Sequence, residues 1–300
     1  MRWRGNRESS NVRDRRGVRL SGGTGSGGGM IRLLPTVFRF LGFKGTAIAV
    51  LGFVGYTYFT GGDLSALLGG SPTSQTESRP VKQSADEKQL VKFVSVVLAD
   101  TEDTWHQLFK QQGKRYVEPE LVLFRGAVKS ACGLGKAAMG PFYCSADQKV
   151  YIDLSFYRDL KNRHQAPGDF AQAYVIAHEV GHHVQTLLGV SQRVRKAKQG
   201  ISSSAANQLS VKQELQADCF SGIWAHHADR LRNLLEAGDV EEGLTAASAI
   251  GDDRLQKQSR GYVTPESFTH GSSKQRVRWF NTGLKKGSID ACNTFKTALL

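Results

Sequence analysis

Two histidines and a glutamate stand close together in the run H-E-V-G-H-H at residues 178–183. The helical repeat of 3.6 residues places His178 and His182 on one face, one turn apart, so both imidazoles can reach a single metal ion. Glu179 projects to one side of that face, where it can take a proton from a metal-bound water. The spacing indicates a zinc site that activates water, carried on a helix that we predict over residues 169–188.

A catalytic zinc ion needs a third protein ligand and one open coordination position. Glu214 is the best candidate, because it lies in a helix predicted over residues 204–234 whose apolar side chains would bury an unpaired carboxylate at high cost. Asp218 shares its face four residues later, where it can accept the second ring N–H of a ligand histidine. A solvated acidic face is the alternative interpretation of these two carboxylates.

Hydrolysis of an amide passes through a tetrahedral oxyanion, which commonly needs a hydrogen-bond donor beyond the metal. The candidates are His270, Arg276 and Tyr262, in that order. His270 falls in the loop before a helix predicted over residues 273–282, and Arg276 lies within that helix. The alternative is a capping loop that carries a surface histidine.

Several further segments match a known pattern, at residues 1–4, 11–17, 140–144, 150–154, 173–185, 214–219 and 270–276. In combination they resemble the neutral zinc metallopeptidase family of bacteria, a group of membrane-anchored proteins with a gluzincin-type site. The resemblance implies a zincin fold with Zn²⁺ at His178, His182 and Glu214. It does not imply a substrate.

The remaining pattern predicts an α+β fold, mostly helical with a small sheet. An amphipathic helix begins near Asp86, and strands are predicted at residues 120–125 and 149–154. A further helix is predicted over residues 240–257. A zincin grips its peptide by adding it to a sheet edge, and we expect one of the two strands to serve that purpose. Together these elements make a zincin-like metallopeptidase domain over residues 85–300.

The net charge of +13 is concentrated at the start of the chain, where residues 1–44 hold ten Arg and Lys against two acidic residues. Residues 45–62 then run for 18 positions without a charge, at the short end of the length that a membrane-spanning helix needs. The positive-inside bias places the N-terminus in the cytoplasm. A cleavable signal peptide and a buried core helix are the alternatives.

The predicted organisation is therefore a disordered basic cytoplasmic tail (1–30), a single transmembrane helix (31–62), a flexible linker (63–84) and the catalytic domain (85–300). It places the protein in the bacterial inner membrane, anchored near its N-terminus, with the catalytic domain periplasmic or extracytoplasmic. The Arg-rich tail contains no recognisable nucleic-acid-binding module, so no nucleic-acid partner is expected. The sequence leaves the oligomeric state open.

Four cysteines suit an oxidising compartment. Cys132 and Cys144 flank a turn-rich segment that a disulfide would close easily, and the remaining Cys219 and Cys292 could tie the Glu214 helix to the C-terminus. Four cysteines allow three connectivities, and the sequence does not choose among them. Free buried thiols are the alternative, and a Cys219 thiolate is a poorer zinc ligand than the available carboxylate.

These residues predict a membrane-anchored zinc peptidase that acts on peptide or protein substrates, with Glu179 as general base. Two other functions use the same residues. A zinc hydrolase of cell-wall amides would differ only in its cleft, and a membrane-tethered scaffold would keep the zinc as structure. The intact Glu179 argues against the scaffold, because a purely structural zinc site needs no base.

Overall fold

The structure is a computed structural model that describes residues 1–18 and 81–297. Its strands are β1 (Val12–Asp14), β2 (Glu120–Phe124), β3 (Ala127–Ser130), β4 (Gly133–Lys136), β5 (Phe142–Cys144) and β6 (Lys149–Asp153). Its helices are α1 (Ala85–Gln111), α2 (Phe156–Asn162), α3 (Asp169–Leu187), α4 (Val190–Ala197), α5 (Ser203–Arg232), α6 (Asp239–Ala249), α7 (Asp252–Arg260) and α8 (Ser273–Lys286). Short 3-10 turns lie at Ala137–Met139, Pro265–Ser267 and Ile289–Cys292. The prediction of a mostly helical α+β domain with a small sheet is confirmed.

The main sheet has the strand order β1-β2-β6-β5, and β3 and β4 form a separate hairpin. β1, β2 and β6 are parallel, whereas β5 runs antiparallel to β6. The two strands predicted from sequence are found as β2 and β6, and both are interior strands. Because each is paired on both sides, neither can accept a substrate strand. The edge next to the helical layer is formed by β5 instead.

Two glycines set the spacing of the helices that carry the site. A Cβ at Gly181 of α3 would lie 3.0 Å from the carbonyl oxygen of Ala217 in α5, closer than carbon and oxygen ordinarily approach. A Cβ at Gly283 of α8 would collide with the carbonyl oxygen of Cys219 on the other side of α5. α5 is therefore packed closely between α3 and α8, so that side chains of all three helices can meet.

The helix predicted over residues 240–257 is two helices, α6 and α7, which meet at a break around Gly251. A Cβ at Gly251 would clash with the backbone nitrogen of Ser273 at the start of α8. The chain turns at this point because another helix begins there, which the helical periodicity does not reveal. The turn places Asp252 at the start of α7, with a backbone N–H bonded to the Gly271 carbonyl at 2.9 Å.

Residues 1–17 pack against the described residues from position 81 onwards and form one compact unit with them. Trp3 is buried against Phe93 of α1, with ring centroids 5.4 Å apart, and β1 adds a strand to the sheet. The Met1 ammonium lies 3.0 Å from Asp169 at the start of α3 and 3.3 Å from Asp239 at the start of α6. For these residues the packing differs from the expected disordered tail.

The expectation that the fold includes a transmembrane helix is wrong for the residues that the structure describes. Among residues 1–18 and 81–297, no helix combines the length and the apolar content that a bilayer crossing requires. The segment on which that prediction depended, residues 31–62, lies outside the described residues, as do residues 19–30 of the predicted tail and most of the predicted linker (63–84).

Two disulfides confirm the expectation of oxidised cysteines. Cys132 in the turn between β3 and β4 bonds to Cys144 of β5, and Cys219 of α5 bonds to Cys292 near the C-terminus. The first bond attaches the hairpin to the edge strand. The second attaches the last 3-10 turn to the helix that carries Glu214.

Replacing Trp3 tests whether the N-terminal segment is part of the fold. We expect Trp3→Ala to lower the free energy of unfolding of the full chain by about 3–5 kcal/mol, the usual cost of emptying a buried tryptophan site. Urea denaturation measures this change. Ser10→Ala, at an exposed position of the same segment, should change it by less than about 0.5 kcal/mol. Equal stability of the Trp3 variant and the parent would show that the segment does not pack on the domain.

Candidate metal centre

The two histidines of the motif lie one turn apart on α3, with ring centroids 4.8 Å apart. Both direct Nε2 towards the same carboxylate of α5. The Oε2 atom of Glu214 is 3.2 Å from Nε2 of His178 and 3.4 Å from Nε2 of His182. The structure therefore brings together the three residues predicted as ligands, although Glu214 follows His178 by 36 residues and His182 by 32.

This donor set fits zinc. Two atoms that each lie about 2.0–2.1 Å from a tetrahedral ion are separated by about 3.3 Å, which matches both distances from Glu214. In each ring Nδ1 already has an acceptor, so the Nε2 lone pair is the one left for a metal. Two imidazoles and one carboxylate are also a ligand set found in catalytic zinc sites, where a fourth position stays open.

The electrostatics of the cluster favour a positive charge at its centre. Although burial opposes the charged form of His178, Asp218 and Glu214 raise its pKa to about 10. Burial likewise opposes the charged form of Glu214, but the two histidines hold the pKa of its carboxyl well below the usual range. The two carboxylates that favour a proton on His178 would also favour a divalent cation between the two rings.

Asp218 contacts His178 at the ring nitrogen that does not face Glu214. Its Oδ1 accepts a hydrogen bond from Nδ1 of His178 at 2.9 Å and another from the Tyr174 hydroxyl at 2.5 Å. The Asp218 side chain is fully buried. The contact that the sequence predicted between Asp218 and a histidine of the motif is therefore present, and a carboxylate on Nδ1 would fix the tautomer and the orientation of a ligand imidazole.

Arg276 lines the cleft, as the sequence predicted, but its guanidinium is bonded to a buried carboxylate. Its guanidinium forms a two-point contact with Asp218, Nε to Oδ2 at 2.9 Å and Nη2 to Oδ1 at 2.8 Å. Burial opposes its charge, but Asp218 raises the pKa of Arg276 above its usual value, and the pKa of the Asp218 carboxyl is lowered in turn. Arg276 thus neutralises the carboxylate that orients His178.

Tyr262 is not part of the site in this structure. Its side chain is 63% exposed, and its ring lies against the guanidinium of Arg260, 4.9 Å away. It does not belong to the residues that line the cleft over the metal ligands. The sequence contains no signal that distinguishes a tyrosine at the cleft from one on the surface near the same loop.

His270 does lie at the cleft, and Asp252 holds it there. The Oδ2 atom of Asp252 accepts the backbone N–H groups of Thr269, His270 and Gly271 at 2.6–3.0 Å. Its Oδ1 lies 3.2 Å from Nδ1 of His270, and this contact raises the pKa of the imidazole. Sequence reasoning missed Asp252, because no motif links it to a loop 18 residues later.

Glu179 lines the cleft beside the ligands and is 7% exposed. Its carboxylate makes no hydrogen bond to the residues that the structure describes, so it is available to a water or a substrate. The cleft has a volume of about 780 Å³ and is also lined by Phe142 and Tyr143 of β5. The arrangement combines three converging metal ligands, an unbonded carboxylate and an open groove.

These features define the class as a metal-dependent hydrolase, and comparison with known proteins gives the family. The family model described as "Putative neutral zinc metallopeptidase" matches residues 1–295. The chain belongs to that family. Membership supports assignment as a zinc peptidase and implies zinc as the cofactor.

The relatives include proteins from Escherichia coli and Mycobacterium tuberculosis. The chain is 52% identical to "Uncharacterized protein YpfJ" of Escherichia coli (strain K12) over 296 residues, which cover 98% of this chain and 99% of that protein. It is 38% identical to "Uncharacterized protein Rv2575" of Mycobacterium tuberculosis (strain ATCC 25618 / H37Rv) over 217 residues, 69% of this chain and 72% of that protein. No solved structure matches the chain.

Removing the positive partner of Asp218 should destabilise the folded domain. In Arg276→Met the buried carboxylate loses both guanidinium contacts, and breaking such a pair costs about 3–5 kcal/mol. Chemical denaturation of the metal-free protein measures the loss. Lys285→Met, at an exposed position of the same helix, should be near neutral. A stability of Arg276→Met equal to that of the control would contradict the assigned contact.

Proposed function

We propose that this protein hydrolyses peptide bonds with a gluzincin-type site, in which His178, His182 and Glu214 hold Zn²⁺. The convergence of these three ligands beside the unbonded carboxylate of Glu179 is the observation that carries the proposal. When bound, zinc acts as a Lewis acid that lowers the pKa of a water and polarises a carbonyl group.

Glu179 is the general base in this mechanism. Its carboxylate takes a proton from the attacking water and then delivers that proton to the leaving amine. Its position on α3, directly after His178, keeps it beside the ligands and prevents it from binding the metal together with them. The absence of a hydrogen-bonded partner among the described residues supports a role in proton transfer and argues against a structural role.

His270 stabilises the oxyanion. Its Nδ1–H is directed at Asp252, so its Nε2 carries a proton only when the ring is an imidazolium. Asp252 favours that form, and a charged donor at the cleft stabilises negative charge on the substrate oxygen as the tetrahedral intermediate forms. Arg276 supports the site indirectly, by neutralising Asp218.

The substrate lies extended along β5. This strand is the edge of the sheet next to α3, and its residues Phe142 and Tyr143 line the cleft. An edge strand offers unpaired backbone groups to a peptide in the extended conformation. This geometry favours a peptide or protein substrate over the amides of the cell wall.

The compartment is oxidising. Both disulfides link residues of the catalytic domain, and stable disulfides are typical of proteins outside the cytoplasm. The catalytic domain therefore works in a periplasmic or extracytoplasmic space. The packed N-terminal segment, residues 1–17, accompanies it there because the two share one core.

The Glu179→Gln variant tests the proposed role of the base. The amide is nearly isosteric but cannot accept the proton, so we expect peptide hydrolysis to fall by about 10²–10⁴-fold while one zinc per chain is retained. Metal analysis and cleavage of a peptide library by the full chain measure both quantities. Peptide cleavage at the parent rate would disprove the assignment, and cleavage of peptidoglycan fragments alone would favour the cell-wall alternative.

Asp252→Asn should shift the pH dependence. The Asp252 carboxylate raises the pKa of His270, so its replacement lowers that pKa, and the imidazolium is lost at a lower pH. The alkaline limb of kcat/KM should therefore move towards acid. NMR titration of His270 should show the pKa falling by the same amount. A His270 pKa that is unchanged in the variant would rule out this coupling.

A further inference from the structure

The second ligand histidine is held by a residue of its own helix. Nδ1 of His182 lies 3.0 Å from Oε1 of Gln185, almost one turn later on α3. Gln185 is fully buried, so its amide has no water to bond. Whether this contact controls the ring depends on which end of the amide faces His182.

A backbone carbonyl settles that orientation. Nε2 of Gln185 lies 2.7 Å from the carbonyl oxygen of Gln213 on α5. A carbonyl oxygen can only accept, so the amide nitrogen must point at Gln213 and the amide oxygen at His182. The oxygen in turn requires a proton on Nδ1 of His182. Nε2 of that ring is then left with its lone pair directed towards Glu214.

A second glutamine completes the arrangement. Oε1 of Gln216 accepts from Nε2 of Gln185 at 3.1 Å, and Nε2 of Gln216 donates to the carbonyl oxygen of Cys292 at 2.9 Å. The same reasoning applies, since the Cys292 carbonyl fixes which end of the Gln216 amide faces Gln185. Cys292 is held in place by its disulfide to Cys219 of α5.

We propose that Gln185 is a positioning residue that holds His182 in the tautomer able to bind metal, and that Gln216 acts on His182 through Gln185. The inference rests on the zinc site of the proposed function. Without an acceptor at Nδ1, the ring can exchange tautomers and rotate, so a fraction of molecules presents an N–H to the metal instead of a lone pair. Loss of a hydrogen-bond partner behind a ligand typically weakens metal binding by about 10–100-fold.

The test compares zinc affinities of full-length variants by competition with a chromophoric chelator. We expect Gln185→Met, which has similar length but no amide, to bind zinc about 10–100-fold more weakly and to alter the visible spectrum of the cobalt-substituted protein. Gln172→Met is the matched control. Gln172 also lies on α3, but its amide bonds to the Gly168 carbonyl at 3.2 Å.

Gln216→Met should also weaken zinc binding, but it should add no further loss in the Gln185→Met background, because its effect passes through Gln185. A lower unfolding free energy of metal-free Gln185→Met with unchanged zinc affinity and cobalt spectrum would show a merely structural role and overturn the proposal. Additive effects of the two changes would overturn the part assigned to Gln216. A parent that binds no zinc would overturn both this inference and the proposed function, whereas zinc binding without peptide cleavage would count against the function alone.

Discussion

The structure depends on the close approach of α3 and α5 at Gly181. This contact lets the carboxylate of Glu214 reach between two imidazoles that a single helix holds one turn apart. The consequence is a largely buried cluster in which the carboxylates of Glu214 and Asp218 face two imidazoles and the guanidinium of Arg276. Buried charges are costly unless they are compensated. A metal ion would take the place of the proton that these carboxylates favour on His178, so binding of zinc and stability of the folded domain are expected to be coupled.

Other elements are arranged around this requirement. α8 packs against the opposite side of α5 at Gly283 and delivers Arg276 to the buried end of Asp218. The turn at Gly251 places Asp252 under the loop that carries His270, while β5 provides the wall of the cleft. The residues beside the metal are thus positioned by contacts between segments far apart in sequence, and each is held by a partner whose charge or hydrogen-bonding capacity matches its own.

Sequence reasoning located the elements whose signal is local. The spacing of His178 and His182, the apolar setting of Glu214, the apolar run of β2 and the alternating pattern of β6 are all local signals, and the structure places these elements accordingly. The sequence did not reveal that Arg276 pairs with Asp218, because a basic residue near a candidate loop shows no sign of a buried partner 58 residues away. Gln185 and Asp252 were missed for the same reason, since their roles depend on backbone groups of distant segments.

The basic N-terminal segment also depends on contacts with distant residues that the sequence does not reveal. Its arginines were interpreted as a solvated tail, yet Arg7 lies 3.0 Å from Glu102 and Arg16 lies 2.8 Å from Glu87, both on α1. Charge counted along the sequence cannot reveal that these residues pair with acidic side chains about 70–95 positions later. The location of the catalytic domain inferred from that count stays a prediction, since residues 19–80 lie outside the described part of the chain.

X-ray absorption at the zinc edge of the zinc-loaded protein tests the central claim most directly. The account predicts a first shell of nitrogen and oxygen alone at about 2.0–2.1 Å, with the multiple-scattering pattern of two imidazoles. Sulfur neighbours at about 2.3 Å, or an imidazole count other than two, would contradict a site built from His178, His182 and Glu214.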